Sequence, residues 1–138
     1  MSPRPKPPLF MSWPLGPNDP QRPLGTLMTL TTLFVSLCLK TTALPCEDIQ
    51  FHVGKTAHGS SAMAQVLSDG SYRVTLSPYA VRKGDYYIKT AIIHELAHLT
   101  RFALTPDRPD CQHDFKWKLS CKSLSTKAGI GSLHCTED

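Results

Sequence analysis

Apolar and polar positions alternate in three short runs between residues 49 and 76, and the spacing changes to threes and fours from residue 85 onward. Ile49, Phe51 and Val53 alternate with polar neighbours, which predicts a short strand ending near Gly54. After the turn signal His58-Gly59-Ser60-Ser61, Ala62 to Leu67 reads as a second strand, and Ser68-Asp69-Gly70-Ser71 suits a hairpin connection. Tyr72, Val74 and Leu76 alternate with Arg73, Thr75 and Ser77 in a third strand, which Pro78 stops. Ser77 to Gly84 then links to a helix expected from Asp85 to about Leu104, with Asp85 as N-cap and Pro106 beyond its end. Ile92, Leu96, Leu99 and Ala103 form its apolar stripe. An irregular loop, Thr105 to Cys111, leads to a second helix from near Gln112 to Lys122 or Leu124, and Ser125 to Asp138 reads as a tail pinned by Cys135. Strands before helices predict an α+β domain: a short antiparallel sheet packed on the first of these helices and on a second.

The first 45 residues have a different character. Eight of the 12 prolines fall before residue 24, without periodicity, so residues 1–23 read as a disordered leader. Leu24 to Leu39 is an apolar, threonine-rich run between Arg22 and Lys40, and a small-residue site ends at Ala43. Residues 24–43 therefore fit the apolar region of a secretory signal peptide, with Met11 and Met28 as alternative starts. A membrane anchor through residues 24–39 and a core helix are the competing readings, the run being short for a span. Residues 44–138 are left as the single folded domain.

Cysteine usage agrees with export. Cys38 lies in the apolar run and is expected to leave with it, while Cys46, Cys111, Cys121 and Cys135 remain for two disulfides in one of three pairings. A structural zinc site drawn from Cys111, His113, Cys121, His134 and Cys135 competes with this, although no CxxC pair supports it. The net charge of +4 belongs mostly to the leader; from Leu44 onward there are eleven Lys and Arg against ten Asp and Glu. With no basic stripe, nucleic-acid binding is not expected.

Chemistry enters with His94-Glu95-Leu96-Ala97-His98. Residues four apart lie one above the other on a helix, so His94 and His98 present two imidazoles spaced for one metal ion, and Glu95 stands beside them as a base. A surface helix with merely solvated histidines is the plain alternative. Catalytic zinc needs a third protein ligand and an open position. Asp107, Asp110, Cys111, His113, Asp114 and His134 are available, and we favour His113, fifteen residues after His98, with Asp110 or Asp114 next. Phe115, Trp117 and Leu119 are expected to anchor the helix that carries it, with Cys111 tying the loop down. His52, His58 and His134 have no motif spacing.

HELAH followed by His113-Asp114-Phe115-Lys116-Trp117 resembles the zincin metallopeptidases, and is most similar to the SprT-like and WLM-type minimal proteases. The layout of Tyr72 to Ser77, then IKTAIIHELAHL, then a histidine opening the next helix supports the likeness over roughly Tyr72 to Leu119. Family members commonly have Gly or Pro after the third histidine, where this chain has Asp114, and they are mainly intracellular. The GTxDxxYG signature of the aspzincins is absent, and in the metzincin pattern Arg101 and Leu104 replace the glycine and the third histidine. The resemblance implies a zincin-like fold and a zinc-dependent peptidase, with Zn²⁺ on His94, His98 and His113 and Glu95 as general base. An extended peptide or protein substrate would add to the edge of a strand near Tyr72 to Ser77, and Tyr86 or Tyr87 could stabilise the oxyanion. We expect a secreted monomer without stable membrane association once the signal is removed. The rival expectation is a non-catalytic secreted module, either zinc-binding or disulfide-stabilised.

Overall fold

The computed structural model describes residues 22–106 and 113–136. Its elements in chain order are α1 (Arg22–Thr41), β1 (Gln50–Val53), β2 (Ala62–Val66), β3 (Tyr72–Leu76), α2 (Pro78–Arg82), α3 (Asp85–Leu104) and α4 (Phe115–Ala128), followed by a 3-10 turn at Leu133–Thr136. The class is α+β, as the pattern predicts. Residues 1–21 of the expected leader and the loop residues Asp107, Asp110 and Cys111 lie outside the described residues.

The sheet departs from the antiparallel expectation. Its strand order is β1-β3-β2, with β2 antiparallel and β1 parallel to β3. The β2–β3 hairpin turns at Gly70, whose φ of +88° suits glycine, and the Asp69 carboxylate accepts from the backbone N–H of Ser71. Residues 54–61 carry the chain past the end of β3, so β1 reaches the far edge of β3 running in the same direction. Alternation determines which face of a strand is buried and leaves open which strand it pairs with.

Pro78, which ends β3, opens α2 at its first turn, where its missing N–H costs nothing, and Ser77 caps that helix by accepting from Ala80 N–H at 3.0 Å. The linker expected over Ser77 to Gly84 is therefore partly helical. Gly84, with φ +102°, takes the N-cap position of α3 in place of Asp85, which sits in the first turn instead. Ile92, Leu96 and Leu99 of the expected stripe are buried, together with Ile88, Ile93 and Ala97; Ala103 is exposed. Burial on so many sides follows from position: α3 touches β2 and β3 on one side and α4 on the other.

Asp114 caps α4 by accepting from Trp117 N–H at 2.8 Å, and Gly129 ends it at φ +75°. The helix thus starts later and runs further than expected. Trp117, Cys121 and Leu124 form its buried face; of the three expected anchors only Trp117 is buried, Phe115 and Leu119 being 72% and 52% exposed.

Residues 22–41 form a helix laid against α4, α3 and β1. Leu30, Phe34, Leu37 and Cys38 are buried along one face, and Phe34 stacks on Phe51 with centroids 4.6 Å apart. Cys38 is bonded to Cys46, and Cys121 to Cys135. The described residues thus hold two disulfides, as expected, but Cys46 takes its partner from the apolar run that was expected to depart with Cys38. Loss of residues 24–43 would remove Phe34 from the core and leave the Cys46 thiol without that partner. Because the Cys38–Cys46 bridge closes a short loop, the Cys38→Ser/Cys46→Ser variant should lose about 2.5 kcal/mol of unfolding free energy. An unchanged denaturation midpoint would show that this helix is not part of the cooperative unit. Among the described residues no helix is long and apolar enough to cross a membrane.

Candidate metal centre

His94 and His98 lie one turn apart in the middle of α3, and their ring centroids are 5.0 Å apart. His113 immediately precedes the Asp114 cap of α4 and turns back onto them, its Nε2 3.0 Å from His94 Nε2. The ring nitrogens of all three lie within 4.8 Å of one another. The structure therefore brings His113 to the pair. Asp114, the alternative third ligand, points elsewhere: its carboxylate accepts from Arg101, with Nη2 to Oδ2 at 2.6 Å and Nε to Oδ2 at 3.2 Å.

Two contacts position His113, the expected anchor Trp117 and an Arg101–Asp114 pair that sequence reasoning did not foresee. Arg101 follows His98 by one turn on α3 and is buried, and its pairing with Asp114 fastens the start of α4 to the helix carrying the other two histidines. Trp117, one turn into α4, lies fully buried behind the cluster. Its ring stacks on His113 at 4.2 Å and 25°, and its Nε1–H donates to the His94 carbonyl at 3.4 Å. The available signals were an arginine inside an apolar helix and an N-capping type of residue, Asp114, before Phe115 and Trp117.

Burial sets the protonation of the cluster. It pushes the His94 imidazole down to about 3, helped by the positive charges that His98, His113 and His134 can carry. It likewise pushes His98 down to about 4, with His113 and Arg101 adding to the effect and Asp114 opposing it. Both rings are thus neutral across the physiological range, the form whose nitrogen lone pair binds a metal. Three imidazoles converging within ligand distance of one another fit a divalent ion, and the group could hold one. Glu95 is buried beside them, and desolvation raises its carboxyl to about 8.

The histidines depressed from 6.5 contribute stability above that pH, and this is lost as pH falls toward their folded values near 3 and 4. Glu95, raised from 4.5, contributes stability that is lost as pH rises through about 8. Between about pH 4.5 and 6.5 the two histidines outweigh Glu95 and stability rises with pH, and above about pH 6.5 only the Glu95 loss remains, so the metal-free chain should be most stable at about pH 6.5 in urea titrations with chelator present. A flat profile from about pH 4 to about pH 9 would contradict the burial of these groups.

His94 and Glu95 open onto two clefts. One, of about 500 Å³, is lined also by His98, Phe102 and by Ala62 and Ala64 of β2. The other holds Ser61, Tyr87 and His134. The strand beside the centre is β2, an edge strand among the described ones, and not β3, which is paired on both sides. The expectation that Tyr72 to Ser77 offers a free edge is corrected accordingly. Of the two tyrosines, Tyr87 lines a cleft, its hydroxyl 2.5 Å from Ser61 Oγ, whereas Tyr86 is 61% exposed.

No protein-family model, curated protein or solved structure matches the chain. The likeness to the SprT-like proteases rests on motif residues alone.

The competing five-residue zinc set is divided in the structure: His113 joins the α3 pair, while Cys121, His134 and Cys135 gather separately. His52 approaches Thr75 Oγ1 at 3.5 Å, and His58 sits in a left-handed turn with φ +56°; neither belongs to the centre. His134, which has no motif spacing, reaches a cleft wall because the Cys121–Cys135 bridge holds its turn against α4.

Proposed function

We propose that the chain is a secreted zinc-dependent peptidase. The observation that carries this reading is the convergence of His94, His98 and His113 next to buried Glu95, at a cleft walled by an edge strand. Bound by these three imidazoles, zinc supplies Lewis acidity to polarise a carbonyl and acidify water. Glu95 takes the proton of the attacking water and returns it to the leaving amine, a task suited to a carboxylate whose burial raises its basicity. The outer edge of β2 aligns an extended peptide by strand addition. Tyr87, hydrogen-bonded with Ser61 in the wall of the second cleft, would donate to the developing oxyanion. The Cys121–Cys135 disulfide is compatible with life outside the cell whether or not residues 24–43 are removed, and the Cys38–Cys46 disulfide is compatible with it where they are kept.

The test is metal content of the purified protein together with cleavage of unstructured peptides, with and without chelator. About one zinc per chain and cleavage that chelator abolishes and zinc restores are expected. Zinc without cleavage would favour the second reading, a non-catalytic zinc-binding module. The acidic and thiol groups such a module would use as a further ligand, Asp110 and Cys111, lie outside the described residues.

A further inference from the structure

We propose that Cys121, His134 and Cys135 form a second metal site that opens when their disulfide is reduced. This inference is independent of the peptidase reading. Cys121 lies in the middle of α4, Cys135 in the turn Leu133–Thr136, and both are fully buried. His134 Nδ1 lies 3.8 Å from Cys121 Sγ and 3.9 Å from Cys135 Sγ. The three donor atoms are within 4.8 Å of one another.

Those separations are close to what a shared ion requires. In a tetrahedral zinc site, bonds of about 2.3 Å to sulfur and about 2.0 Å to nitrogen place the ligand atoms roughly 3.5 Å apart for S and N, and roughly 3.8 Å apart for S and S. The imidazole stands within a few tenths of an ångström of this distance from both sulfurs, so the main movement required is that the sulfurs part. Residues 129–132, which include Gly129 and Gly131, join the turn to α4 and can absorb that shift. The imidazole also has an outer partner: Nε2 lies 3.0 Å from Ser125 Oγ. With Nε2–H donating to that hydroxyl, Nδ1 carries the lone pair and lies on the Cys121 side; Nε2 is itself 3.8 Å from Cys135 Sγ, so the ring must turn slightly to aim Nδ1 between the two sulfurs.

The chemistry balances with a dithiol as reductant. Two electrons and two protons pass from the dithiol to the Cys121–Cys135 bond, giving two thiols, and the dithiol is released as its own disulfide. On binding Zn²⁺ the two thiols lose their protons to solvent and both thiolates bind the ion with His134, leaving a fourth position for water. The contact between α4 and the carboxyl-side turn is thus covalent under oxidising conditions and metal-bridged under reducing ones. His134, which walls the second cleft, keeps its place in both states.

The experiment uses the full chain, oxidised or anaerobically reduced with dithiothreitol and desalted, with Co²⁺ as the spectroscopic probe and Zn²⁺ for protection. Among the described residues the histidine centre offers no sulfur, so the sulfur-to-cobalt charge-transfer absorption gained on reduction reports thiolates released from the disulfides. The reduced chain should show this absorption and the oxidised chain should not. Zinc should slow alkylation of Cys121 and Cys135, resolved by peptide mass spectrometry, more than about tenfold relative to Cys38 and Cys46, and His134→Ala should remove most of that protection. No thiolate absorption, protection spread equally over all cysteines, or protection unchanged in His134→Ala would each overturn the proposal. Because the readout is mapped on the wild-type chain, it does not depend on any cysteine variant folding.

Discussion

Glu95→Gln should retain the metal and lower peptide hydrolysis by about 10²–10⁴-fold, the usual worth of a positioned general base. The substitution preserves size and shape at a position buried in α3. It also removes the cost of keeping a carboxylate there, which desolvation expresses as a raised pKa near 8. The variant should therefore fold at least as well as the parent above neutral pH, so lost activity cannot be ascribed to unfolding. Because the amide still offers an oxygen but cannot accept a proton, the loss should fall on kcat with KM little changed. Zinc content should remain near one per chain, since the metal is assigned to His94, His98 and His113. Turnover within about tenfold of the parent would remove Glu95 from the role of base.

Asp114→Ala should be among the most damaging single changes outside the three histidines. Arg101 is almost completely buried and would lose the carboxylate it now contacts at 2.6 Å. Separating the members of a buried pair costs about 3–5 kcal/mol; the lower end applies here because the Asp114 side chain is one-third exposed and partly screened. Loss of the cap on Trp117 N–H adds about 1 kcal/mol. Together they predict a loss of about 4 kcal/mol, seen as a lowered urea midpoint. Asp114→Asn separates the two contributions, since asparagine caps a helix as well as aspartate does; it should recover only about the last 1 kcal/mol. Both variants free the start of α4, so zinc affinity should fall about 10–100-fold, the range for outer groups that orient a metal ligand. Equal stability of Asp114→Ala and the parent would show that the α3–α4 clasp is not what holds His113 in place.

Residues whose role is local are legible in the sequence alone. HExxH fixes the relation of His94, Glu95 and His98 through helical geometry, and α3 spans Asp85–Leu104 as its periodicity predicts. Strands β2 and β3 also lie close to where alternation puts them. His113 could be favoured because a loop of that length can return the chain, with its neighbour Asp114 or Asp110 as the next choice. Only the buried Arg101 guanidinium, which claims the Asp114 carboxylate, separates His113 from Asp114.

Other features depend on partners distant in the chain. Phe34 meets Phe51 and Cys38 meets Cys46, so a run that reads as a removable leader packs as a core helix here. A hydrophobic stretch carries the same free-energy gain whether it enters a signal-binding groove, a bilayer or a protein interior, and its own residues do not name the destination. The parallel pairing of β1, the edge position of β2 beside the centre and the arrival of His134 at the cleft wall share that cause. Burial pattern and helical spacing are encoded residue by residue, whereas strand order and long-range pairing arise only when the whole chain competes for the same interior.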